Sequence, residues 1–180
     1  MLEEWRHAFE LVEAPPVSVR GTIVSSTAVR QRVQEGQVSR ACRLLGRWFE
    51  LEGRIVSGAG RGRSVTVPTL NLEPENEIVP QRGVYLTRIE MDGRSADAIT
   101  NIGTRPTFGD GEQTIETFVL HGNVSTNSFL ARLQFLRRVR DERHFDSPQL
   151  LRAQIERDVQ AAKTFFRRLQ ATSNARIHSN

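Results

Sequence analysis

GVYLTRIEMDGRSADAITNI, residues 83–102, is the stretch on which the fold turns. GVYLTRIEM at 83–91 and ADAITNI at 96–102 have the composition of strands. Between them, MDGR at 91–94 carries the Asp-Gly pair that supplies the positive φ angles of a tight hairpin. WFELEGRIV (48–56), TIETFVL (114–120) and FLARLQFL (129–136) are strand-like too, some with clear alternation. Five or six strands at this spacing are expected to close, or nearly close, into an antiparallel barrel, which leaves no exposed sheet edge.

The flanks differ. From about residue 147 an amphipathic helix is expected, because Leu151, Ile155, Val159, Ala162, Phe166 and Leu169 recur at three-and-four spacing. Ser147 is a suitable N-cap and Pro148 a suitable first helical residue. Residues 171–180 are expected to form a frayed tail. In the N-terminal part, FELVEAPPVSVRGTIVSS is extended and polar, and TAVRQRVQEG and VSRACRLLGR are expected to be two short helices. Ser26 or Thr27 is the expected cap of the first.

Composition narrows the function classes. Hydrophobic residues at 38% and charged residues at 26% suit a soluble globular chain. No apolar run approaches the roughly 18 residues of a membrane span, and the acidic start MLEEWRHAFELVEAPP lacks the order of a secretory signal. Cys42 is the single cysteine, so no internal disulfide forms and a reducing cytoplasm is the expected location. Net charge is only +4, which argues weakly against a dedicated nucleic-acid binder. Lys163 is the only lysine among 25 basic residues. A P-loop needs lysine directly after its last glycine, so Walker-type ATP binding is excluded. A dinucleotide fingerprint starting at Gly58 fails too, because Arg63 stands where its third glycine belongs.

The chemistry concentrates in GAGRGRSVTVPTLN, 58–71. Alternate glycines permit close approach of a ligand, and successive N–H groups in such a turn form a concave anion site. If 69–71 is extended, Thr69 and Asn71 leave the chain on one side. A hydroxyl and an amide oxygen side by side suit Mg²⁺, which shares its shell with waters and phosphate oxygens. Taken alone, GAGRG is equally a flexible glycine-rich hairpin. Glu116 alternates with Ile115 and Thr117; a lone strand carboxylate usually faces solvent, but beside a metal and a phosphate it has the chemistry to accept a hydroxyl proton. NIGTRPTFGDG at 101–111 has the makings of a long hairpin loop. RRVRDERHFDS at 137–147 is a mixed-charge run, either a solvated face or a source of arginines for an anion. His7, His121, His144 and His178 show no metal-ligand spacing.

In order along the chain, GAGRGRSVTVPTLN, GVY at 83–85, NIGTRPTFG at 101–109, IETFVL at 115–120 and the R-x-E-x-x-F-D-S pattern of Arg140 to Ser147 resemble the motifs of riboflavin kinases. The resemblance implies a six-stranded antiparallel Greek-key barrel with a C-terminal helix. It also implies transfer of the ATP γ-phosphate to the 5′-hydroxyl of riboflavin to give FMN, with Mg²⁺ accompanying ATP. By matching position, Glu116 is the catalytic base, and Thr69 and Asn71 bind the metal and nucleotide phosphates. Gly58, Gly60, Arg61 and Gly62 form the phosphate-side loop, and Arg140 lies on a mobile loop near the substrates.

Residues 1–46, through GTIVSSTAVRQRVQEGQVSRACRLLGR, resemble the end of the adenylyltransferase domain of bacterial bifunctional riboflavin kinase/FAD synthetases. The expected division is therefore a remnant of that domain at 1–46, a kinase domain at 47–170 and a tail at 171–180. The His-x-Gly-His motif of adenylyl transfer does not occur in the sequence, so FMN rather than FAD is the expected product, and the missing domain is expected in a longer parent protein. Thr66, Val67, Leu70 and His121 depart from the family's usual residues, and the Tyr-Gly pair is absent from HGNVSTNSF. These departures motivate a rival reading, a flavin- or nucleotide-binding barrel without turnover. An arginine-rich barrel for single-stranded nucleic acid is a third class, weakened by only 7% aromatic residues for stacking.

Overall fold

A computed structural model describes residues 14–56, 69–105, 112–121, 124 and 129–177. A two-stranded ribbon comes first, Ser18–Val19 (β1) and Thr22–Ile23 (β2), turned by Arg20 and Gly21 at positive φ. Two short helices follow, Ser26–Gln34 (α1) and Val38–Leu45 (α2). Ser25 caps α1: its backbone is extended and its hydroxyl accepts the Ala28 N–H at 3.2 Å. The cap thus falls one residue before Ser26 and two before Thr27, the expected positions. Six strands then run Phe49–Val56 (β3), Leu70–Pro74 (β4), Gly83–Met91 (β5), Arg94–Arg105 (β6), Glu112–His121 (β7) and Leu130–Arg140 (β8), and the helix Pro148–Ile177 (α3) follows.

The six strands close into an antiparallel barrel in the order β3-β4-β7-β6-β5-β8. β5, β6 and β7 are successive neighbours and β8 returns beside β5, which is a Greek key. The hairpin legible in MDGR is present, with Met91 opposite Arg94 and Asp92 and Gly93 at φ 50° and 71°. β5 is buried along nearly its whole length because each face meets a separate core. Tyr85, Ile89 and Met91 join Leu51, Ile102, Leu133 and Phe135 inside the barrel. Val84 and Leu86 face outward, where Ile99, Leu136, Ala162 and Phe166 complete a second core beneath α3. Burying a side chain such as Phe166 contributes about 1.5–3 kcal/mol.

α3 begins as expected, with Ser147 Oγ accepting the Leu150 N–H at 3.3 Å ahead of Pro148. It runs to Ile177, so residues 171–177 are helical rather than part of a frayed tail. Two strands are longer than the sequence pattern indicated. NIGTR is the end of β6 rather than the start of a loop, and RRVR at 137–140 is the end of β8 rather than part of a charged connection. At the other end of the chain, α2 sits on β8. Val38 is fully buried in the barrel-core cluster with Tyr85 and Phe135, and the Ser39 hydroxyl donates to the Leu136 carbonyl at 3.0 Å.

Candidate functional site

Sheet register builds the site. Asn71 on β4 stands opposite Glu116 on β7, Glu116 opposite Asn101 on β6, Asn101 opposite Val84 on β5, and Val84 opposite Arg140 on β8. Alternation puts this row on the outer face, since Leu70, Leu72, Ile115 and Ile102 on either side of its members belong to the interior cluster. Directly opposed residues bring their Cβ atoms within about 4.5–5.5 Å. Asn71 is only 8% exposed, Glu116 is half-buried, and Thr69 is exposed just before β4. An amide oxygen, a carboxylate and a second amide thus occupy adjacent strands on one face.

The interior behind the row is polar at one level. Thr87, Thr100 and Thr117 are almost completely buried, and their hydroxyls form a chain across β5, β6 and β7 at 2.8 and 3.0 Å. Each hydroxyl satisfies its neighbour, so the chain avoids the penalty of an unpaired buried polar group. It also ties β7 to β6 in the register that sets Glu116 opposite Asn101.

β8 decides where the arginines go. Its pairing with β5 slips twice, between Val84 and Tyr85 and between Leu86 and Thr87. Each bulge adds one residue and reverses the side that follows. Arg138 consequently stands opposite Tyr85 on the inner face, its guanidinium 5.9 Å from the phenol ring centre. Arg140 stands opposite Val84 on the outer face and meets α3. There its Nε and Nη2 donate to Asp158 at 3.0 and 2.8 Å, Gln154 donates to the other carboxylate oxygen at 2.8 Å, and the cation lies 5.9 Å from the Phe145 ring centre. Arg140 is therefore a strand-end residue held to a helix, not a residue on a loop. The sequence reading did not single out Asp158, which is 5% exposed and sits among the apolar positions of α3.

Three further features escaped the sequence reading. Glu142 lies over Gly103, where its Oε1 would come within 2.3 Å of a Cβ, and accepts the Thr104 N–H at 3.4 Å. A Cβ at this position would push the carboxylate away from the strand. Asn101 joins Glu116 by register alone. Finally, a groove of about 420 Å³ opens between the outer side of β7 and α3, lined by Leu120, His121, Lys163, Phe166 and Arg167. It lies on the side of β7 that carries Glu116. A signal for it existed in His121 and Lys163, but nothing in one dimension brings them together. Burial raises the Tyr85 phenol to about 12, partly offset by the Arg138 cation. Gly58, Gly60, Arg61 and Gly62 lie outside the described residues.

The riboflavin kinase family model matches residues 45–166, from the end of α2 to the middle of α3. The chain belongs to the riboflavin kinase family. The bifunctional riboflavin kinase/FMN adenylyltransferase of Pseudomonas fluorescens is 35% identical over 156 residues, covering 86% of this chain and 50% of that protein. The protein of the same description from Escherichia coli K12 is 32% identical over 163 residues, covering 89% and 51%. The chain thus spans about half the length of the curated relatives it matches. A solved structure from Streptococcus pneumoniae, described as a macrolide-efflux protein, shares the fold with a TM-score of 0.79 at 29% identity, covering 89% of this chain and 54% of its own. Among the described residues of the present chain, no helix is long and apolar enough to cross a membrane.

Proposed function

We propose that this chain is an ATP:riboflavin 5′-phosphotransferase of the cytoplasm. The observation that carries the reading is the register that sets Glu116 between Asn71 and Asn101, on the face that also bears the groove along α3. In the proposed step the riboflavin 5′-oxygen bonds to the γ-phosphorus, the bond from that phosphorus to the β–γ bridging oxygen breaks, and ADP leaves. Glu116 takes the hydroxyl proton. Positioning and charge neutralisation supply most of the rate in phosphoryl transfer, and proton acceptance contributes about 10²–10⁴-fold.

Thr69 and Asn71 offer two neutral hard oxygens, a donor set that fits Mg²⁺ only when phosphate oxygens and waters fill the remaining positions. No group of three His, Cys, Asp or Glu side chains among the described residues is placed to hold a metal by itself. Once bound, Mg²⁺ neutralises phosphate charge. The groove of about 420 Å³ falls within the size range of small-molecule sites, with Leu120 and Phe166 as its apolar wall and Lys163 and Arg167 at its polar side. Gly58, Gly60, Arg61 and Gly62 belong to the proposed phosphate loop, and residues 47–170 to the kinase unit.

Incubation with riboflavin and Mg-ATP, followed by chromatography, should show FMN forming in proportion to protein. Glu116→Gln keeps the shape and removes proton acceptance, so riboflavin binding should persist while kcat falls on the order of 10²-fold or more. A glutamine variant as fast as the parent eliminates Glu116 as the base.

A further inference from the structure

Arg138 joins parts of the molecule that the sequence keeps far apart. Its Nη2 donates to the Arg82 carbonyl at 2.7 Å and pairs with Asp141 at 3.1 Å. Its Nε is buried with no hydrogen-bond partner among the described residues, beneath the turn between α1 and α2. A Cβ at Gly36 would stand 3.0 Å from the Arg138 guanidinium and 2.9 Å from the Tyr85 hydroxyl. Gly36, at φ 70°, therefore rests directly on both groups. Three residues on, Ser39 holds the carbonyl of Leu136, the residue skipped at one β8 bulge. The α1–α2 pair thus grips the bulged strand at two points, a backbone carbonyl and a side chain.

The strand continues from this grip into the site. Asp141, tied to Arg138, is followed by Glu142, whose carboxylate lies over Gly103 and receives the Thr104 N–H. Gly103 is two residues beyond Asn101 on the same outer face of β6. In the row Asn71–Glu116–Asn101, Asn71 marks the metal and phosphate end, so Asn101 and Glu142 mark the acceptor end. We propose that Arg138 is a positioning residue that carries the seating of the α1–α2 pair to Glu142 at the acceptor side of the site. The helical pair is then a working part of the kinase site and not an independent appendage. The kinetic consequence rests on the riboflavin kinase reading; the structural coupling does not.

Amide hydrogen exchange on the full chain tests the coupling without any substrate. Arg138→Ala should speed exchange at Thr104 and across 141–146 by on the order of tenfold, with the β5–β6 turn at 91–94 unchanged as the control for global stability. Arg138→Lys keeps a cation for the Arg82 carbonyl and Asp141 and should recover part of the protection. Ser39→Ala, made on α2, should speed the same amides; it and Arg138→Lys decide the matter if Arg138→Ala does not fold. Parent rates at Thr104 and 141–146 in the folded variants overturn the proposal. In the kinase assay the KM for riboflavin should rise by roughly fivefold or more while the KM for ATP holds, the signature of lost binding at one substrate only. An equal rise in both, or none, overturns the acceptor-side assignment. A parent that makes no FMN removes the kinase reading and leaves the exchange result to decide the coupling.

Discussion

Asp158→Leu should be among the most damaging single changes outside the barrel interior, and the geometry sets its size. The Asp158 and Arg140 side chains are 7% and 14% exposed, so solvent screens their attraction little. Removing the carboxylate strands a buried guanidinium, which costs about 3–5 kcal/mol. Arg140 keeps two contacts, the Asp141 carbonyl at 3.0 Å and the Phe145 ring, which places the loss near the lower end, about 3 kcal/mol. At this chain length each kcal/mol lowers Tm by roughly 2–4 °C, so the expected fall is about 6–12 °C. Thermal and urea unfolding followed by circular dichroism measure it. The double variant Arg140→Met/Asp158→Leu removes both charges and fills the site with apolar side chains, so it should return to within about 1 kcal/mol of the parent. A single variant that loses less than about 1 kcal/mol, or a double variant no better than the single, refutes the buried-pair account. The double variant also separates two roles of Arg140: restored stability with FMN formation still lost would assign it a part in the reaction beyond holding α3.

Tyr85 is the only tyrosine, so its ionisation can be followed directly by phenolate absorbance. Its phenol is raised by burial to about 12 against an ordinary 10. The unfolded chain releases this proton first, so the contribution of about 2–3 kcal/mol is complete below pH 10 and is lost as pH rises from 10 through 12. A phenolate midpoint near 10 in the folded protein contradicts this, and Tyr85→Phe should flatten the decline in stability over that window. Thr100→Val breaks the hydroxyl chain at its centre, leaving Thr87 and Thr117 to find other partners. Urea unfolding should show a loss of about 1–3 kcal/mol, and an unchanged midpoint would mean that the chain contributes nothing to β5–β6–β7 register.

Much of the molecule was local enough to be legible. The Asp-Gly turn announced the β5–β6 hairpin, Ser147-Pro148 announced the start of α3, and the three-and-four spacing announced its apolar face, because each depends on residues within a few positions of one another. The short strand β4 was visible only as a condition on Thr69 and Asn71, since five residues ending in proline give almost no periodic signal. The ends of β6 and β8 were hidden for another reason. Turn-forming and charged residues there are held as strand by their neighbours in the barrel, which overrides local preference.

Within the candidate site, the sequence by itself named Thr69, Asn71 and Glu116, because hydroxyl, amide and carboxylate chemistry belongs to the residue wherever it lies, and it named Arg140 only through the resemblance to riboflavin kinases. It could not order them in space. Closure of the barrel set Asn71 against Glu116 and Glu116 against Asn101, and registers of that kind depend on hydrogen bonds between strands tens of residues apart. The two bulges in β8 did the rest. A period of two assigns every side chain a face until an extra residue reverses it, and no local signal in QFLRRVR marks where the reversals fall. Tertiary structure alone therefore turned Arg138 inward beneath the helical pair and sent Arg140 outward to Asp158.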